Sequence, residues 1–314
     1  MDNLPPQDDV NKDLGLGSRV AQGSHERFLN RDGSFNVRRG GLPFFRTLNM
    51  YHALLTMSWL KFYLLLALGY FITNIFFASV YLACGSNAFR GAEGITVIER
   101  FLEAFFFSVQ TLATIGYGRI SPNSFAANIV VTFEALVGLL GFALATGLLF
   151  ARFSCPHAKI IFSHHVIIAP YKDITAFEFR IVNERSNELI EVNATVSLSR
   201  LEIVNGRTMR KFYPLSLERE KVVFLPLHWV IVHPITETSP LYGITAEQFN
   251  KADSEILILL TGVDETFSQS VHARSSYKTT EIVWGAKFRD VFIESDTGKL
   301  SIDMKKIHDI ERVG

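Results

Sequence analysis

The stretch Thr114-Ile115-Gly116-Tyr117-Gly118 decides how the rest of this chain is read. Its two glycines alternate with an Ile and a Tyr, and glycine enters the φ > 0 half of conformational space without steric cost. An extended backbone of this kind can turn successive carbonyl oxygens toward one axis. Four copies around that axis would stack rings of carbonyls, with the Thr114 hydroxyl as the lowest ring, in place of the water around a K⁺ ion. A Gly-Tyr-Gly turn in an ordinary loop is the plain alternative. The flanks argue for the first reading. An aromatic-rich run from Arg100 to Ala113 leads in, and the only two segments long and apolar enough to cross a bilayer lie on either side.

The first span is expected at about 60–84. Phe62 to Cys84 holds no charged residue and exceeds the roughly 20 residues needed to cross the hydrocarbon. Asn74 in its middle reads as a hydrogen-bonding partner for a neighbouring helix rather than an ion ligand. A short polar loop, Gly85 to Glu99, follows. Arg100 to Leu112 is apolar but only about half a membrane long. Residues 100–118 therefore read as a re-entrant helix and its filter loop, with the negative end of the helix dipole toward a central cavity. After a turn at Ser121-Pro122-Asn123 comes the second span, 125–151, where Gly138, Gly141 and Gly147 permit close packing and bending. Phe142, Thr146 and Phe150 recur at four-residue steps and share a stripe. With that stripe on the axis, four Phe150 rings make a hydrophobic gate that closes by dewetting; a lipid-facing anchor is the lesser reading of Phe150. Glu134 is the single acid of this span and lies level with the lower end of the filter. It is expected to hydrogen-bond behind the filter rather than touch ions.

Ahead of the first span, Phe45, Leu48, Tyr51, Leu55 and Trp59 recur at three- and four-residue steps. The spacing predicts an amphipathic helix over 41–58, ending at Trp59 and lying in the membrane interface. Residues 1–40 read as a polar tail with a turn at Asp32-Gly33, whose short arms suit addition of a strand to another sheet edge. The start Met1-Asp2-Asn3-Leu4-Pro5-Pro6 has no positive, apolar signal character, so the first span is expected to insert by itself. Arg38, Arg39, Arg46 and Lys61 before the first span, with Arg152 and Lys159 after the second, put both termini in the cytoplasm of a multi-pass protein of the cell (inner) membrane.

Residues 154–314 change character. Phe177, Phe179 and Ile181 alternate with polar residues, as do Val192, Ala194, Val196 and Leu198, which predicts half-buried strands. Trp229 to Ile235, Glu255 to Val263 and Thr280 to Trp284 are further β-rich runs. No long amphipathic helix competes with them, and a β-sandwich is the expected class. His164 and His165 are read as opening a strand, on opposite faces and therefore not sharing a metal. Cys84 and Cys155 fall near opposite membrane faces and are not expected to pair. Formal net charge is +0 across 314 residues, which gives no general field for nucleic acid. No phosphate loop, dinucleotide fingerprint or nucleophile–base set suggests an enzyme.

The filter together with its approach, Phe107 to Ala113, resembles that of inward-rectifier potassium channels. The run Glu134 to Phe153 is similar to the second span of their prokaryotic (KirBac-type) members. Phe162-Ser163-His164, Ser239-Pro240-Leu241-Tyr242, Arg274-Ser275-Ser276-Tyr277, Glu281 to Gly285 and Asp32 to Val37 extend the resemblance over nearly all of the chain beyond residue 25. It implies a homotetramer in the lipid bilayer, an α-helical two-span pore domain over 59–153, and an immunoglobulin-like cytoplasmic sandwich over 154–314 that extends the pore and regulates it. K⁺ would sit at Thr114, Ile115, Gly116 and Tyr117, with no other cofactor. The resemblance places Glu191 and Glu265 at a cytoplasmic vestibule and Phe150 at the bundle-crossing gate. It also marks departures. Phe142 stands where strong rectifiers carry an acid. Gln110 stands where many relatives have a filter-supporting Glu that forms an ion pair. Arg119 puts positive charge at the outer mouth. The basic cluster that meets anionic lipid is thinned to Arg152 and Lys159. A K⁺-selective, passive channel is the reading that results, and a membrane-anchored β-sandwich receptor is the alternative.

Overall fold

A computed structural model describes residues 27–36, 50–154, 158–204, 207–293 and 301–312. The chain divides into two compact units, Gly41–Cys155 and a second made of Met1–Gly40 with Pro156–Gly314.

In the first unit a short helix α1 (Met50–Thr56) precedes α2 (Trp59–Ala83). The expected helix ending at Trp59 is corrected here: Ser58, extended at φ −61° and ψ 151°, breaks the chain, and Trp59 opens the long helix instead. Phe45 and Leu48 of the proposed stripe lie outside the described residues. α3 (Val97–Leu112) starts a turn earlier than Arg100. Thr96 accepts from the Glu99 amide, and the Glu99 carboxylate accepts from the amides of Thr96 and Ile95 at 2.9 Å each. This capping box turns Val97, Ile98 and the charged Glu99 from loop into first turn. α4 (Phe125–Phe153) is capped by Ser124. Both α2 and α4 are long and apolar enough to cross a membrane, and α2 shows Leu64, Leu68, Phe71 and Phe76 outward, as a helix solvated by lipid does. Two-residue strands β1 (Phe89–Arg90) and β2 (Ser121–Pro122) tie the stretch after α2 to the stretch after Gly118. A Cβ on Gly138 of α4 would lie 2.7 Å from the Leu112 carbonyl oxygen, so glycine lets this helix touch the end of α3.

The second unit is a sandwich of two five-stranded sheets. Its strands are β3 (Ile160–Phe162), β4 (Val166–Tyr171), β5 (Ile174–Asn183), β6 (Leu189–Val204), β7 (Arg207–Pro214), β8 (Lys221–Phe224), β9 (His228–Ile235), β10 (Glu255–Asp264), β11 (Gln269–Lys278) and β12 (Ile282–Trp284). One sheet runs β11-β10-β6-β7 with β8 on β6; the other runs β12-β4-β5-β3 with β9 on β5. The two alternating sets noted in the sequence, on β5 and β6, meet in the core with Ile231, Ile256, Ile258 and Tyr277. Each such side chain contributes about 1.5–3 kcal/mol on burial. The expected strand from Thr280 begins only at Ile282, because Thr279–Glu281 form a 3-10 turn. A six-residue helix, Ala246–Lys251, interrupts the β pattern.

The Asp32-Gly33 turn is present, and among the described residues it adds no strand to a sheet. Its arms pair with each other at Leu29 and Phe35. The turn docks by side chains: the buried Glu255 carboxylate accepts from the amides of Phe28 (3.0 Å) and Leu29 (3.2 Å), and Arg27 and Arg31 both pair with Glu281. Ser275 and Ser276 of β11 donate to the carbonyls of Arg31 and Leu29. His164 precedes β4 rather than opening it, and its ring stacks on His308 with centroids 3.6 Å apart. The His308 Nδ1 accepts from the His164 amide at 3.2 Å.

Gly138→Ala is expected to cost about 1–3 kcal/mol through overpacking against backbone, read as a lower melting temperature, while Gly69→Ala on open α2 surface leaves it unchanged. Equal melting of the two variants would contradict the close approach. The histidine pair carries a second expectation. Burial first, then Arg31 and the neighbouring histidines, hold both imidazoles below their ordinary range. The unfolded chain therefore takes up protons near pH 6.5 that the folded chain refuses, so stability falls as pH drops below about 6.5. Thermal scans from pH 8 to 5.5 should show this slope, weakened in His308→Gln; an unchanged slope in that variant refutes the assignment.

Candidate functional site

The Thr114–Gly118 loop begins where α3 ends. The Thr114 amide donates to the Thr111 carbonyl at 3.0 Å and the Ile115 amide to the Gln110 carbonyl at 2.8 Å. That pair of bonds is the Schellman arrangement, which normally places glycine in the left-handed residue. Here the residue is Thr114, at φ +58°, a conformation that costs a β-branched side chain on the order of 1–2 kcal/mol. Gly116 (φ +57°) and Gly118 (φ +79°) follow, so alternate residues are left-handed. The Gly116 amide also reaches the Gln110 carbonyl, at 3.3 Å. Loop amides are thus drawn back onto α3. Among the described residues, no protein hydrogen bond is accepted by the carbonyls of Thr114, Ile115, Gly116 or Tyr117.

Behind α3 lies a fully buried polar set. Tyr81 of α2 donates to Glu134 Oε2 at 2.5 Å, Ser108 of α3 touches both Glu134 Oε1 and Asn74 Oδ1, and Asn74 Nδ2 donates to the Tyr70 carbonyl at 2.7 Å. Glu134 lies against Ser108 of α3 and Tyr81 of α2, and Asn74 joins the set through Ser108. Tyr81 and Ser108 were not picked out from the sequence, since a hydroxyl in an aromatic run carries no distinguishing pattern. Gln110 meets the Thr114–Gly118 loop through its carbonyl, which accepts from the amides of Ile115 and Gly116. The charge partner of Arg119 is Glu103, two turns earlier on α3, at 3.8 Å; the same carboxylate accepts from the amides of Glu93 and Gly94 at 3.0 Å.

On α4, Phe142, Thr146 and Phe150 lie along one exposed stripe, and the Thr146 hydroxyl donates to the Phe142 carbonyl at 2.9 Å. Arg152 corrects an expectation. As a lipid contact it would reach outward, but it is 8% exposed. Its guanidinium donates to the carbonyls of Leu54 and Met57 at the end of α1. It also lies 4.5 Å from the Trp59 ring centre and 4.6 Å from that of Phe62. Lys159, the other proposed lipid contact, pairs with Glu184 at 3.3 Å.

In the sandwich, Glu191 sits in a bulge of β6: Glu191 and Val192 together oppose Gly262 of β10, and Glu191 is left-handed at φ +51°. Bulges re-aim side chains, and this one leaves Glu191 exposed beside Lys221 at 3.3 Å. Glu265 is exposed just beyond β10, its amide on the Glu188 carbonyl at 3.2 Å.

Comparison with known proteins adds to this geometry. A family model for the inward rectifier potassium channel C-terminal domain matches residues 160–314, and one for ion channels matches 59–154. Inward rectifier potassium channel Kirbac3.1 of Paramagnetospirillum magnetotacticum is 42% identical over 286 residues, covering 90% of this chain and 95% of that protein. Inward rectifier potassium channel 4 of Homo sapiens is 30% identical over 67% of this chain, which spans about half of it (49%). G protein-activated inward rectifier potassium channel 3 of Mus musculus is 27% identical over 90% of this chain and 77% of its own length.

The Arg152 clamp makes a measurable difference between two cations. Lysine cannot reach both carbonyls from between the rings, so Arg152→Lys should cost about 2 kcal/mol and lower the melting temperature of the detergent-solubilised protein. Unchanged melting with weakened binding to anionic vesicles would restore the lipid contact.

Proposed function

The chain belongs to the inward rectifier potassium channel family, and on that premise we propose that it conducts K⁺ passively as a homotetramer whose filter is Thr114 to Gly118. It is a potassium channel rather than an enzyme. What carries the assignment of the filter is the alternation of left-handed residues at 114, 116 and 118, with loop amides drawn onto α3 and loop carbonyls free. One chain supplies two spans and one such loop, which cannot enclose a pore, and cyclic symmetry supplies the rest. K⁺ sheds its water into the carbonyl rings and moves between them by knock-on.

In this reading the α4 stripe lines the path, with Phe142 at the cavity and Phe150 at the gate. An aromatic at 142 offers Mg²⁺ or a polyamine no carboxylate, so tight block in the cavity is not expected. Glu191 and Glu265 face the cytoplasmic vestibule, both termini are cytoplasmic, and the protein resides in the cell membrane. Lys159, half-exposed beside Glu184, is the cation that would have to exchange that partner for an anionic lipid headgroup.

The test is flux into liposomes holding the purified protein. K⁺ and Rb⁺ should enter, Na⁺ should not, and Ba²⁺ should block; Gly116→Ala should abolish entry. Should the wild type be silent, Phe150→Ala distinguishes a closed gate from a wrong assignment. Flux that appears in that variant supports the gate, and persistent silence in a verified tetramer overturns the filter reading.

A further inference from the structure

The buried polar set behind the filter fixes where its protons are. Ser108 Oγ lies 3.0 Å from Asn74 Oδ1 and in close contact with Glu134 Oε1. A hydroxyl has one proton and donates to only one of these two acceptors. Turning the Asn74 amide over would give Ser108 a donor, but it would set Oδ1 against the Tyr70 carbonyl oxygen, which Asn74 Nδ2 now meets at 2.7 Å. Two acceptors at that distance repel.

We propose that Glu134 carries a proton and works as a neutral positioning residue, holding α3, and with it the filter, between the two spans. The bonds then run one way. Tyr81 donates to Glu134 Oε2, Glu134 Oε1–H to Ser108, Ser108 to Asn74 Oδ1, and Asn74 Nδ2–H to the Tyr70 carbonyl. Each of these protons is used once and the set carries no charge. Burial agrees: Asn74, Tyr81, Ser108 and Glu134 are each 0% exposed, and an unpaired carboxylate there would cost several kcal/mol. Among the described residues no cation pairs with Glu134. The groups bonded to it from α2 and α3 are Tyr81 and Ser108, of which only Tyr81 is titratable.

The proposal rests on the filter reading for its role but not for its test. Infrared spectra of the wild-type channel at neutral pH should contain the C=O stretch of a protonated carboxyl, and Glu134→Gln should lack it. The glutamine amide donates to Ser108 and its oxygen accepts from Tyr81. That variant should therefore keep wild-type K⁺ over Na⁺ selectivity and Ba²⁺ sensitivity. Removing a real negative charge so near the filter would weaken Ba²⁺ block by on the order of tenfold or more, and that result overturns the proposal. So does a wild-type spectrum without the band, even in a channel that conducts, in which case the filter reading stands alone. Should the glutamine variant fail to assemble, the wild-type spectrum decides by itself.

Discussion

Backbone that leaves helical geometry at membrane depth must find partners for its amides and carbonyls or line an aqueous path. The loop proposed as the filter meets that constraint unequally. Its first amides are held by the last carbonyls of α3, while its own carbonyls are left open. Everything around the loop serves to keep α3 still while this asymmetry lasts. Gly138 lets α4 reach the Leu112 carbonyl, β1 and β2 pair the segments that flank α3 and its loop, and the set from Tyr81 to Asn74 fastens the middle of α3 to both long helices. Apolar packing alone would not fix the position along the helix axis as these bonds do.

The same economy of partners governs the inner end. α1 is two turns long and too short to be stable alone, and its last carbonyls need donors. Arg152 supplies them from the last turn of α4, where a cation is also favoured by the helix dipole. Trp59 and Phe62 cover the guanidinium, and Trp59 packs on Phe153. Any displacement of α1 therefore loads the final turn of α4, two residues from Phe150, through hydrogen bonds as well as surface contact.

The two long apolar helices, the half-length helix and the glycine-spaced loop after it were legible because each is a property of contiguous residues: length, apolarity, glycine spacing. What was not legible depends on partners far along the chain. A basic residue at the end of a span reads as a lipid contact, and only the carbonyls at Leu54 and Met57, almost a hundred residues earlier, show otherwise. β11 was missed as a strand for the same reason. In its sequence, Gln-Ser-Val-His-Ala-Arg-Ser-Ser-Tyr-Lys, the apolar alternation of Val271, Ala273 and Tyr277 is interrupted at Ser275, which with Ser276 is buried and donates to the backbone carbonyls of Arg31 and Leu29. The earlier start of α3, by contrast, was written in Thr96 and Glu99 and needed only the capping pattern to be weighed above the charge of the segment.

Backbone strain sorts the same residues from another direction. Among the described residues, five other than glycine have positive φ: Thr114, Lys172, Glu191, Asp253 and Ser268. Lys172 and Ser268 lie in connections between antiparallel neighbours, and Asp253 follows a short helix, places where a left-handed residue makes a turn. Thr114 and Glu191 do not reverse the chain. At Thr114 a glycine would end the helix at less cost, yet it would lack the hydroxyl proposed as the lowest ring of the filter. At Glu191 a regular β6 would keep its pairing, yet it would turn every side chain beyond that point to the other face. Strain that persists where a cheaper residue or register exists marks a position held for something other than stability, and here the two positions fall on the proposed ion path.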